Sequence, residues 1–195
     1  LTADYWVADG AEPDRLDDAT QQRWEAEVAR SPNEVGSVEL IAARPDVGER
    51  QPLKAGQLDT EVGLVGDNWL ERGALSTPDG SADPRAQLNL MNSRVAALVA
   101  DDDPDRMILA GDQLYLDLDL GPTNLPPGSR LRVGGAVIQI TDKPHTGCAK
   151  FTRRFGLAAH RWINGRDGRA LNRRGICARV VESGTVRHGD TVHKL

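Results

Sequence analysis

Apolar residues fall at helical spacing in a few stretches of the chain and in short β-branched runs between turn residues over the rest. Residues 13–30 predict a helix started by Asp14 or Asp17, with Leu16, Trp24 and Val28 near one face. Residues 1–12 read as an arm anchored by Tyr5 and Trp6, and Ser31-Pro32-Asn33 breaks the helix. Strands are predicted at 36–43, 63–69, 87–91 and 113–118, and a short helix at 92–100 capped by Asn92 or Ser93. The acidic segments 79–83 and 101–105 read as solvated loops.

The strongest β signals come late in the chain. Residues 131–133 alternate, Gly134-Gly135 suits a tight turn, and 136–140 return, which predicts a hairpin. A second hairpin is expected from 177–182, Ser183-Gly184 and 185–194, with Gly189-Asp190 as a bend or bulge. Between the two, residues 148–163 read as a helix, with Phe151, Phe155, Ala158, Ala159 and Trp162 at compatible spacing. Short strands, few helices and Gly-rich turns together predict a mainly β fold, a partly closed β-barrel with a few short helices.

Composition sets the class. The 195 residues are 39% hydrophobic and 27% charged, which suits a folded globular domain rather than a disordered chain. No apolar run approaches the ~18–20 residues that span a bilayer, and the first residues lack the pattern of a signal peptide, so a cytoplasmic protein without membrane contact is expected. Two cysteines, Cys148 and Cys177, make no disulfide framework. Residues 1–120 carry 25 acidic and 10 basic side chains, net −15; residues 121–195 carry 4 and 14, net +10; the two sum to −5. The basic part points to a small anionic ligand, or else to pairing with the acidic part across one globule. Nucleic acid is not expected, because aromatic residues are only 4% and no zinc-finger or RNA-binding signature is present.

Candidate chemistry centres on Cys148, which follows Gly147 and precedes Lys150, Arg153 and Arg154. Cations and a helix start both favour the thiolate, the form that acts as nucleophile or soft-metal ligand. His145 either orients or deprotonates this thiol, or bonds backbone in a turn. Cys177 lies in an apolar run and reads as core. Asp112 and Asp190 follow glycines and read as turn stabilisers, Asn124 as a loop cap and Trp69 as core. His160, His188 and His193 have no metal-ligand spacing, so no zinc is expected. Paired carboxylates, a Gly-x-Ser-x-Gly elbow and a Walker phosphate loop are all missing from the sequence.

The ordered series Gly111-Asp112-Gln113-Leu114, Asp119-Leu120, Asn124-Leu125 and Pro127-Gly128-Ser129-Arg130-Leu131-Arg132-Val133-Gly134 resembles the core of the MOSC domain, named for the C-terminal part of molybdenum cofactor sulfurase. The resemblance continues through Ile140-Thr141, residues 144–151 and 154–156, then Arg174-Gly175-Ile176-Cys177-Ala178-Arg179-Val180 and residues 184–190. It is clearest over 111–193, and it implies an N-terminal arm and helix over 1–35 followed by a MOSC domain over 36–195. It further implies a reactive cysteine at a cleft, with Cys148 at the matching position. Sulfur handling as a persulfide carrier or sulfurtransferase-like protein follows, with a cysteine desulfurase as donor and a metal–sulfur enzyme as acceptor. Some members bind molybdenum cofactor (molybdopterin). Here Cys148 would ligate the metal, with Lys150, Arg153, Arg154, Arg173 and Arg174 as candidates for the cofactor phosphate. The resemblance allows two alternatives: a molybdenum-cofactor-dependent reductase of N-hydroxylated compounds, and a binding module for an anionic metabolite. No match to an aminotransferase-like region with its pyridoxal-binding lysine is found, so no covalently bound pyridoxal phosphate is expected.

Overall fold

The computed structural model describes residues 14–195; the arm expected at 1–12, with Tyr5 and Trp6, lies outside the described residues. Helix α1 (Asp18–Val28) is capped by Asp17, which accepts the Thr20 N–H at 2.7 Å, and is followed by β1 (Val35–Ala43). Then come β2 (Gln51–Leu53), β3 (Ala55–Asp59), β4 (Gly63–Leu64), the single turn α2 (Trp69–Arg72) and β5 (Leu88–Asn92). Asn92 caps α3 (Ser93–Val99) by accepting from Arg94 and Val95, and α4 (Pro104–Met107) leads to β6 (Leu114–Asp117). The chain continues through β7 (Arg130–Val133), β8 (Ala136–Ile140), α5 (Ala149–Asn164), α6 (Arg166–Ala170), β9 (Ile176–Glu182), β10 (Gly184–Arg187) and β11 (Thr191–Lys194).

Seven strands close on themselves in the order β11-β7-β8-β9-β5-β6-β1, because β11 pairs with β1 as well as with β7. The partly closed barrel expected from sequence is therefore a closed one. Every neighbouring pair in the ring is antiparallel except β5–β6, which is parallel with Leu90 opposite Leu114. Inward positions are apolar. Val38, Leu90, Leu116, Leu131, Ile138, Ala178 and Val192 form one buried cluster inside the ring. Each such Val, Leu or Ile side chain contributes roughly 1.5–3 kcal/mol on burial. A second cluster lies outside, where Met91 and Tyr115 meet Val95 and Val99 of α3 and Phe151, Phe155, Trp162 and Ile163 of α5; Trp24 and Val28 of α1 pack against it.

The hairpin of β7 and β8 turns at Gly134-Gly135 as expected. The second expected hairpin does not form: β9 pairs with β5 and β8, β10 pairs with β3, and β11 pairs with β1 and β7. Residues 63–69 are not one strand either, since β4 ends at Leu64 and Trp69 opens α2. The helix expected from 148 is broken at Gly156, whose φ of 83° is costly for residues with a Cβ.

Candidate functional site

One end of the barrel collects the chemistry. There β1 and β8 end while β6 and β9 begin: Ala42 donates its N–H to the Gln113 carbonyl at 2.9 Å, and Thr141 donates to that of Cys177 at 3.0 Å. The segment 109–112 thus lies beside Arg44, which follows β1, and beside Arg174, which precedes β9. Three consecutive carbonyls of this segment each hold a guanidinium. Leu109 accepts from Arg154 at 2.6 Å, Ala110 from Arg174 at 2.9 Å and Gly111 from Arg44 at 3.3 Å.

Asp112, expected as a turn stabiliser, is instead fully buried in an ion pair. Arg174 reaches its two oxygens at 3.0 and 2.7 Å, and the His145 Nε2 lies 2.7 Å from Oδ1. Burial alone would raise the Asp112 carboxyl, but the Arg174 charge and the His145 ring outweigh it and hold it at about 2. Burial and Arg174 push His145 down against the pull of Asp112, so the ring is neutral at pH 7 and donates its Nε2–H to the carboxylate. Neither role expected for His145 describes this partner: it bonds a carboxylate, not the thiol and not backbone.

Cys148 is the N-cap of α5, exposed, with extended backbone. Its carbonyl accepts the Phe151 and Thr152 N–H groups at 2.9 and 3.2 Å. Burial of the sulfur pulls its pKa up, but the N–H groups of Phe151 and Lys150 and then Arg174 outweigh that and hold the thiol below its ordinary value. Asn164 fixes the preceding residue: its Oδ1 accepts the Gly147 N–H at 3.0 Å and its Nδ2 donates to the Gly147 carbonyl at 3.1 Å. A Cβ at Gly147 would stand 2.7 Å from that Nδ2, so a larger residue there would push the Asn164 amide off the clamp. His160 is 2.7 Å from the same amide.

The expected cations divide. Lys150 and Arg153 are exposed, and Arg154 is half-buried on Leu109. Arg173 and Arg174 go to different places. Arg174 is committed to Asp112, with its guanidinium 5.3 Å from the Phe151 ring. Arg173 is not gathered with the others as expected; it lies 4.6 Å over Trp162 and reaches Glu25 of α1 at 3.2 Å. Its alignment against Trp162 commits it to packing the helices. Cys177 is buried in β9 and pushed up to about 12, by burial first and then by the Asp112 charge. Trp69 is buried, Asn124 caps its loop through the Asn33 and Asp119 carbonyls, and Asp190 accepts the Arg187 N–H at 2.7 Å. Among the described residues no three His, Cys, Asp or Glu side chains gather as a metal site.

The family model for the MOSC domain matches residues 84–193, more than half of the chain. This chain belongs to the MOSC domain family. No curated protein matches it. Among solved structures, the YuaD protein from Bacillus subtilis is similar at a TM-score of 0.59 and 18% identity, covering 83% of this chain and 97% of that one. YiiM from Escherichia coli is similar at 0.52 and 18% identity, covering 82% and 69%. These likenesses concern the fold. In this MOSC protein, sequence reasoning missed the roles of Asp112, Asn164 and Arg44. Arg44 precedes the matched residues and sits in the acidic part of the sequence, where a single arginine carries no signal.

Proposed function

We propose that this MOSC protein handles sulfur through Cys148, as a persulfide carrier. The observation that carries this reading is an exposed thiol at a helix start whose pKa is lowered by backbone N–H groups and Arg174. Such a thiolate attacks the outer sulfur of a persulfide held by a donor of the cysteine desulfurase class. A bond forms between Cys148 Sγ and that sulfur, the donor S–S bond breaks, and the electron pair leaves as the donor thiolate. No net oxidation occurs. Transfer onward to a metal–sulfur acceptor repeats the exchange. The test is intact-protein mass spectrometry after incubation with a cysteine desulfurase and cysteine: gain of one sulfur atom on wild type and none on Cys148→Ser supports it. No gain on wild type refutes it.

A second reading, molybdenum cofactor bound with Cys148 as ligand, is favoured by one observation. Arg50 and Arg154 have no carboxylate partner among the described residues. One soft thiolate, with two unmatched cations against the 109–112 segment, fits a phosphate-bearing molybdenum cofactor better than a zinc cage. When bound, that cofactor would supply two-electron redox chemistry, as a reductase of N-hydroxylated compounds requires. The chain's own part would be to offer the Cys148 sulfur and to neutralise the phosphate. Stoichiometric molybdenum in protein from a cofactor-competent host, lost in Cys148→Ser, is the expected result under this reading.

A further inference from the structure

We infer that His160 is a positioning residue for the Cys148 thiol, acting through the Asn164 amide that clamps Gly147. Cys148 caps the start of α5, and His160 and Asn164 lie near its other end. In a straight helix they would stand about 18–24 Å from Cys148 along the axis. The backbone break at Gly156, with φ 83° and ψ 167°, turns the second part of the helix back instead. Three of its side chains enclose Gly147: a Cβ built there would stand 2.7 Å from Asn164 Nδ2, 3.1 Å from Ile163 Cδ1 and 3.3 Å from His160 Cδ2. The residue in front of the thiol is thus seated on the far end of the thiol's own helix.

Two backbone groups fix which way the Asn164 amide points. Its Oδ1 faces the Gly147 N–H at 3.0 Å and its Nδ2 faces the Gly147 carbonyl at 3.1 Å, so turning it over would set donor against donor and acceptor against acceptor. Nδ2 gives its other hydrogen to His160 Nε2 at 2.7 Å. That ring nitrogen is therefore the acceptor, and the ring proton sits on Nδ1. A ring protonated at both nitrogens would meet the amide donor to donor. The charged groups that share a cavity with the ring are Arg15, Asp18 of α1, neighbouring Arg161 and Arg169 of α6. Arg161 is taken by Asp14, and the Asn164 amide is the ring's one hydrogen-bond partner among the described residues. The N–H groups of Phe151 and Lys150 lower the Cys148 thiol only while its sulfur stays over them, and Gly147 fixes where that side chain starts. As an aid to sulfur transfer the role of His160 rests on the persulfide reading, but its hold on the thiol does not.

The test is the iodoacetamide rate of Cys148 against pH in the full chain, with imidazole nitrogen NMR beside it. His160→Ala should slow alkylation about threefold near neutral pH by moving the profile to higher pH, the share expected from one hydrogen bond. His160→Gln, whose carbonyl oxygen can accept from the Asn164 amide, should restore most of the rate. In an Asn164→Ala background, His160→Ala should add nothing, because the amide that carries its effect is gone. NMR of wild type at about pH 7.5 should find Nδ1 protonated and Nε2 bare. A His160→Ala profile like that of wild type, an undiminished effect in the Asn164→Ala background, or a proton on Nε2 each overturns the assignment. Labelling of buried Cys177 monitors unfolding in every variant, and a His160→Ala chain that exposed it would pass the test to His160→Gln, where a rate as low as that of Asn164→Ala overturns the role. Alkylation needs no sulfur donor. Absence of sulfur gain on wild type would therefore sink the persulfide reading and leave the role of His160 standing, and an unshifted His160→Ala profile would do the reverse.

Discussion

The two cysteines of this chain sit within reach of one guanidinium and come out opposite. Arg174 lowers the pKa of both. At Cys148 it acts together with the N–H groups at the start of α5 on an exposed sulfur, and the thiol falls below its ordinary value. At Cys177 it acts with Lys143 but without backbone donors, against enclosure in β9 first and then the charges of Asp112 and Asp83, and the thiol rises to about 12. A nearby cation does not by itself activate a thiol. Solvent access and backbone donors decide the outcome.

The largest expected effect tests that contrast directly. At pH 7.5, iodoacetamide should modify Cys148 at least about a thousandfold faster than Cys177, from thiolate fraction and access together. Peptide mapping over time reads it, and comparable rates would break the contrast. Next, Asp112→Ala leaves Arg174 buried without its carboxylate, and a loss of about 3–5 kcal/mol in urea unfolding is expected. The same change removes a charge that raises Cys177, so the Cys177 thiol should titrate lower in any variant that stays folded.

A smaller effect belongs to Asn164→Ala, which releases both hydrogen bonds to Gly147. It should cost about 1–2 kcal/mol and raise the midpoint of the Cys148 alkylation profile, as the thiol loses its fixed place over the helix start. The smallest is a pH dependence. His145 is depressed in the fold, so the unfolded chain binds the extra proton and stability falls as pH drops below roughly 6.5. Asp112, held at about 2, contributes stability above roughly pH 4 that is lost as pH falls toward 2. Urea midpoints at pH 7.5, 5.5 and 3.5 (chosen to bracket the two windows, about two units apart) should decline in that order. A flat profile would remove His145 and Asp112 from the account.

The contrast also explains what could be read in the sequence. The β7–β8 hairpin was legible because alternation and a Gly-Gly turn are local, and the helix start at Cys148 because its apolar spacing is local too. The fate of β10 was not: nothing in Gly184-Thr185-Val186-Arg187 says that it leaves β9 to pair with β3, a partner more than a hundred residues away. β3 itself, Ala55-Gly56-Gln57-Leu58-Asp59, has too few β-branched residues to announce a strand. At the site, Cys148 stood out by its neighbours in sequence. Asp112 and Arg44 matter through neighbours in space, and each passes for an ordinary turn or surface residue when read singly.

The parallel pairing of β5 with β6 has a consequence for how such a site can change. Two strands running the same way cannot be joined by a tight turn, so residues 93–113 must travel back along the outside before re-entering the ring. That return journey deposits Leu109, Ala110, Gly111 and Asp112 at the rim, where they serve as the common anchorage for three arginines. The anchorage is therefore supplied by a connection rather than by a wall strand, and it is tied back to the ring where the Tyr115 hydroxyl of β6 donates to the Met107 carbonyl at 2.9 Å.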